Sequence, residues 1–273
     1  MQILAIESST KILSVSLSES GAEIASFHLK SNDGFMSSII NSIDAVLKKG
    51  RSNIEKIDIF AGNTGPGDFT GTRIGLSILK TLSFVEEKPL YGISSLDVYA
   101  ASILENNSRS IKKDLLQWGS AIAVPVIDVK RNELFFSIYE ASFSEYPESV
   151  ASHRLKQAGI FIRKVTGDYL VEYENFRSLL EKVFLSGSLI LTNAEKTMIY
   201  CGGTAFGSYS HLGPDLKKLN YNFILNKRAI FPHAGCVNIC ANFRAMRELE
   251  KEKKIIGDKN VVPAYVREFK PFK

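Results

Sequence analysis

Three short stretches hold residue types able to do chemistry. "ESSTK", Glu7 to Lys11, sets an acid, three hydroxyls and a lysine side by side. Backbone amides and hydroxyls in such a turn can contact phosphate, and a carboxylate beside them can hold a metal–phosphate complex. Glu7, Ser8, Ser9 and Thr10 are therefore candidate nucleotide contacts, against the plainer reading of a polar hairpin turn. "CGGTAF", Cys201 to Phe206, follows an apolar run; Gly202 and Gly203 would let a nucleotide approach the backbone, or simply make a turn.

The third stretch, "GNTGPGDFTGTRIG" from Gly62 to Gly75, is the densest. It lacks the Gly-Lys-Ser/Thr ending of a P-loop and the Gly-x-Ser-x-Gly of a nucleophile elbow. Gly65 and Gly67 allow backbone angles closed to other residues, Pro66 stiffens the turn, and Asp68 or Thr70 can cap a following helix. Gly71 and Gly75 lie four apart on one helical face, where small residues let a second helix come close, and Arg73 protrudes beside them. His28, His153, His211 and His233 contain no i, i+4 pair and no HExxH, and no compact cluster has metal-ligand spacing. Cys201, Cys236 and Cys240 are too few for a disulfide framework and read as small buried hydrophobes.

These stretches must be positioned by an α/β scaffold. "QILAIES", "ILSVSLSE" and "AEIASFHL" read as three strands joined by short turns, an antiparallel meander. An amphipathic helix from Phe35 to Lys48 follows, carrying Met36, Ile39 and Ile40. "KIDIFAGNTG" is the next strand, Thr70 to Glu86 a helix with Leu76 and Leu79, "PLYGISS" a strand, and "SSLDVYAASILEN" a helix. Polar "NNSRSIKKDLLQ" is either a lobe boundary or more helix; the division is placed at 1–108 and 109–273. "SAIAVPVIDV" and "ELFFSIYEAS" repeat the strand–turn–strand opening, which suggests a second lobe of related topology. A length of 273 residues suits two lobes. The net charge of +5 does not by itself argue for nucleic-acid binding. The start has no signal-peptide pattern, and apolar runs are too short to span a bilayer, so a cytoplasmic protein without membrane contact is expected.

"MQILAIESST", "GNTGPGDFTGTRIGLS", "PLYGISSLDVYA", "AVPVIDVKRNELFFSIYE" and "VVPAYVR" occur in the order seen in the bacterial TsaB (YeaZ) family, which this sequence resembles. The resemblance implies an actin/Hsp70-like (ASKHA) fold of two RNase-H-like lobes, each with a mixed five-stranded sheet. It implies a non-catalytic partner of TsaD in making threonylcarbamoyladenosine on tRNAs that read codons beginning with adenosine. TsaE would join as an ATPase, and tRNA would be met through the complex. TsaD carries a metal-binding HxxxH; the corresponding "SNDGFMSSII" has no histidine. The sequence departs from the family at Glu7-Ser8, where many members have Asp-Thr, and at "NDG", where they often have "HSE". The family's docking face for TsaD, also used for self-pairing, would fall here on Phe35, Met36, Ile39, Ile40, Thr70, Gly71, Arg73, Gly75, Leu76 and Leu79. No tightly bound cofactor is implied, with ATP or ADP at the complex interface. The rival readings are an actin-like ATPase using Glu7 or Asp128, a glycopeptidase-like hydrolase, and a stand-alone tRNA-binding module.

Overall fold

Alternating apolar residues and serines at the N-terminus fold as a meander in which the first two strands bury both faces and the third lies exposed at the edge. In the computed structural model, residues 1–30, 35–143, 160–185, 197–226, 231–258 and 260–264 are described. Strands β1 (Gln2–Glu7), β2 (Ile12–Glu19) and β3 (Ala22–Lys30) are antiparallel neighbours. Strands β4 (Ile59–Gly65) and β5 (Leu90–Ser94) add in parallel to β1, giving the order β3-β2-β1-β4-β5.

The two-residue period of β1 divides its side chains between two cores. Leu4 and Ile6 pack under α1 (Phe35–Lys49) and α2 (Phe69–Val85), against Ile39, Ile43, Leu76 and Leu79. Ile3 and Ala5 face the opposite layer, with Val98, Ala101 and Val237. That layer is made of α3 (Ser95–Trp118) and the last of the described helices, Ala234–Glu252. Ser94 caps α3, accepting from the Leu96 amide at 3.3 Å, and Gly119 ends it at φ 78°. The polar stretch 106–117 is thus the second half of one helix, and a division at 108/109 falls inside α3.

The second sheet holds β6 (Ala121–Asp128), β7 (Glu133–Phe136), β8 (Tyr139–Ser142), β9 (Phe161–Lys164), β10 (Tyr169–Glu172), β11 (Met198–Gly202) and β12 (Asn222–Leu225). Among the described residues there are seven strands where the resemblance implies five, and the ladder explains the difference. β7 and β8 pair with β6 in one unbroken register, Val126 opposite Phe136 and Ala123 opposite Tyr139. They are a single pass interrupted at Ser137 and Ile138, where the Ile138 amide donates to Thr166 Oγ1 (3.0 Å) instead of to the ladder. β9 and β10 are likewise one pass, bulged between Lys164 and Tyr169. Counted as passes, the strands repeat the order of the first sheet, with β11 and β12 parallel to β6.

Helix α4 (Tyr173–Leu185) and the short α5 (Ala205–Ser208) and α6 (Leu212–Leu216) cover the outer face of this sheet. Its inner face packs on α3. The long helix α7 (Ala234–Glu252) returns to the first sheet and lies against β1 and β2. Past it, the Asp258 amide donates to Leu90 O (2.9 Å) and the Ala264 amide to Thr64 O (2.7 Å). This strap covers the open edge of β5.

Candidate functional site

Glu7 ends β1 and is fully buried. Its Oε1 accepts from the Ser9 amide (2.7 Å) and the Ser9 hydroxyl (2.5 Å), and its Oε2 accepts from Asn63 Nδ2. Asn63 Oδ1 in turn accepts from the Gly65 amide (2.7 Å) and the Ser95 hydroxyl (2.8 Å). The network joins the end of β1, the end of β4 and the start of α3. Burial pushes the Glu7 carboxyl above its ordinary range, and the donors on Ser9 and Asn63 act against that rise. Ser8 and Ser9 are buried, and Thr10 closes the turn by accepting from the Ile12 amide at 3.1 Å. Asn63 and Ser95 were missed in the sequence; the one signal was an amide side chain ending an otherwise apolar strand.

The Gly-Pro-Gly loop lies directly on this turn. Gly65 sits at φ +94°, where an L side chain is strained. A Cβ on Gly67 would stand 2.4 Å from Ser9 O, and the Asp68 amide donates to that same oxygen at 2.6 Å. Asp68 is the cap of α2, accepting from the Gly71 amide at 2.7 Å; Thr70 is not. A Cβ on Gly75 would stand 2.2 Å from Ser8 Oγ.

These contacts correct the expected docking face. Gly71, Gly75, Leu76 and Leu79 are buried in their own lobe, as is Ile39. They form the inward stripe that any helix covering a sheet must have. Of the ten residues expected at the partner face, Ile40 (54% exposed), Thr70 and Arg73 point outward. The Arg73 guanidinium lies 3.9 Å over the Phe69 ring. The side chains of Phe35 and Met36 lie outside the described residues, as does the Asn-Asp-Gly start at 32–34. Phe69, Phe84 (86% exposed) and Val85 also lie on the outer surface of α2. Sequence reasoning passed over them, although "SFV" breaks the helix's inward spacing.

The second turn approaches the first. Gly203, at φ +118°, presses on β6: a Cβ there would stand 2.1 Å from Val126 O. Gly202 ends β11 opposite Pro125. Thr204 Oγ1 accepts from the Asp128 amide (3.0 Å) and is bonded to the buried Tyr99 hydroxyl. Tyr99 is pushed up by burial and then by the charge of Glu7. Asp128 is turned to its own hairpin, accepting from Lys130 Nζ (2.9 Å) and the Ser208 hydroxyl (2.7 Å). Cys236 Sγ lies 3.2 Å from His233 Nε2, but burial drives the thiol upward, away from a reactive thiolate. Among the described residues, no group of three or more His, Cys, Asp or Glu could hold a metal ion, and no helix is long and apolar enough to cross a membrane.

The profile of the family described as "TsaD: tRNA N6-adenosine threonylcarbamoyltransferase" matches residues 30–262. The chain is 29% identical over 140 residues to the tRNA threonylcarbamoyladenosine biosynthesis protein TsaB of Escherichia coli K12, covering 51% of this chain and 55% of that one. It is 30% identical over 137 residues to the protein of the same name from Haemophilus influenzae, covering 50% and 53%. The chain thus spans about half the length of the curated relatives it matches. Among solved structures, YeaZ from Pseudomonas aeruginosa superposes with a TM-score of 0.64 at 17% identity, covering 97% of this chain and 99% of that one. This likeness shows the fold, and the repeated strand order above is what an ASKHA architecture of two RNase-H-like lobes requires. Since the profile spans most of its length, the chain belongs to the TsaD family, on its TsaB/YeaZ branch.

Proposed function

We propose that this chain is the non-catalytic partner subunit of a TsaD-type transferase that forms threonylcarbamoyladenosine on tRNAs reading codons beginning with adenosine, and that it works in the cytoplasm. The observation that carries the reading is the closed state of the turn 7–10. Glu7 is fully buried with both oxygens bonded, Ser9 lies beneath the 65–68 loop and Ser8 lies against Gly75 of α2. The polar turn then serves as a joint between strands. Any ATP or ADP would sit where the partner completes a site, since the amide and hydroxyl of Ser9 are spent on Glu7 within the chain. The names carried by the relatives point to the same pathway.

The transferase would dock on the outer surfaces of α1 and α2, through Ile40, Phe69, Thr70, Arg73 and Phe84. Large exposed apolar side chains beside an arginine are the composition that interface cores favour. The same surface would serve a homodimer when the transferase is absent, and TsaE would join the assembled pair. The test is to mix the full chain with the TsaD of the same organism and measure complex formation with and without nucleotide. Phe84→Glu and Ile40→Glu, with unchanged circular dichroism, are expected to abolish association. A wild-type chain that forms no complex, or variants that bind as well as wild type, would overturn the reading.

A further inference from the structure

The second half of α3 carries a cationic face that the partner-subunit reading does not use. Ile111 and Leu115 point inward into the core. On the opposite side Arg109, Lys112, Lys113, Leu116 and Gln117 are exposed and lie together on one open, shallow surface. Positions 109, 112, 113 and 116 are related by three and four, so their side chains are neighbours on one surface. Arg109 and Lys113 are a like-charged pair of the kind that opposes helix formation. Asp114 lies beside them in sequence, but its carboxylate turns inward to accept from the Tyr200 hydroxyl. Among the described residues no acid pairs with Arg109, Lys112 or Lys113. The three cations therefore share one solvent-facing surface without an ion pair of their own.

We infer that this face binds the sugar–phosphate backbone of RNA, and that it is this subunit's own contact with the tRNA substrate. The inference rests on the partner-subunit reading for the identity of the RNA. Charge complementarity selects the occupant. A row of unpaired cations on consecutive helical turns suits a polyanion of regular spacing, and arginine and lysine are the residues that neutralise phosphates. The exposed Leu116 and the amide of Gln117 add van der Waals and hydrogen-bonding contact without adding sequence preference. Such contacts position an RNA and do not read its bases, as suits a subunit that orients substrate for another's chemistry.

The test is a titration of a tRNA transcript with an adenosine-reading anticodon by the full-length chain, across 50–200 mM salt. Arg109→Gln/Lys112→Gln/Lys113→Gln is compared with wild type and with Lys251→Gln/Lys253→Gln/Lys254→Gln, which removes three exposed cations at the end of α7. Each lost phosphate contact flattens the salt slope by about 0.7–0.9. The α3 variant is expected to bind more weakly, with a slope shallower by about 2–3, and the α7 variant to match wild type. Equal slopes for wild type and the α3 variant, an equal effect in the α7 variant, or no tRNA binding by wild type at the lowest salt would each overturn the inference. An acidic peptide competing for the face without displacement by tRNA would also count against it. Association with TsaD is measured on the same samples. A complex that forms normally while the α3 variant binds tRNA like wild type removes only this inference; a wild-type chain that ignores TsaD removes the reading beneath it.

Discussion

Gly75 offers a quantitative test of whether the glycines after β4 serve the chain's own packing. A Cβ at this position would stand 2.2 Å from Ser8 Oγ, 3.3 Å from Ser8 Cβ and 3.4 Å from Ile6. Alanine in a helix interior gains about 1 kcal/mol over glycine, whereas an extra methyl forced into a packed core costs about 1–3 kcal/mol. Gly75→Ala alone should therefore lower stability by about 0–2 kcal/mol, the overlap with the hydroxyl outweighing the helix gain. Ser8→Ala removes that hydroxyl and leaves the 3.3 Å contact, which a shift of a few tenths of an ångström relieves. In the Ser8→Ala background, Gly75→Ala should recover most of the helix term. The expected coupling in the double-mutant cycle is about 1–3 kcal/mol. Urea denaturation of the four proteins measures it, with circular dichroism to confirm that both lobes unfold in each. A coupling near zero, with Gly75→Ala stabilising by its full propensity gain, would refute the inward reading and return Gly75 to an open surface.

Gly203→Ala should be the most damaging small substitution, by about 3 kcal/mol or more, because a positive φ and a 2.1 Å approach to Val126 O cannot both relax; a melting temperature within a few degrees of wild type would contradict this. Glu7→Gln tests the buried carboxylate. Its pKa is raised above the ordinary 4.5 by burial, so the fold favours the neutral form, and that stabilisation is present below 4.5 and lost as pH climbs through the raised value. The stability difference between wild type and Glu7→Gln should thus move in the variant's favour as pH rises from 4.5 to neutrality, and the opposite drift would show that the Ser9 and Asn63 donors outweigh burial. Arg244 holds the strap by pairing with both oxygens of Asp258 (2.9 and 2.5 Å). Because both partners are partly exposed, Arg244→Met should cost about 1 kcal/mol globally, while hydrogen exchange at the Asp258 and Ala264 amides accelerates; unchanged exchange there would show that the strap is held by other contacts.

How much could be read beforehand follows from which forces act locally. The meander and the position of α2, with its start after the Gly-Pro-Gly, were legible, since period and turn residues are set within a few neighbours. The continuity of α3 was left open because Asn106 to Gln117 is polar, and only Ile111 and Leu115, four apart, betray its inner stripe. The breaks in the second sheet were hidden for a different reason. "ELFFSIYEAS" alternates well enough for one strand, and the interruption at Ser137 is made by Thr166, a residue distant in sequence. The polar joint was legible only in part: Glu7 and Ser9 stand together in the chain, but Asn63 and Ser95 reach them only once β4 and α3 are placed beside β1.

The expectation for the helix glycines failed for an instructive reason. Small residues four apart signal that something comes close, and spacing alone does not say what. Here the close neighbour is the chain's own first turn: Gly67 against Ser9, Gly75 against Ser8. A motif whose glycines close one turn over another is dictated by the geometry of the fold. It therefore places a chain in a family without saying whether that chain performs the family's chemistry. The residues that distinguish a supporting subunit must lie where the motif does not, on surfaces that packing leaves free to vary. Under the proposed function those are the outward side chains Ile40 and Phe84 on the docking face and the exposed cations of α3. Substitutions at Ile40 and Phe84 should abolish association with the transferase and substitutions of the α3 cations should weaken tRNA binding, each leaving the fold intact, whereas substitutions in the Gly-Pro-Gly loop should lose fold and association together.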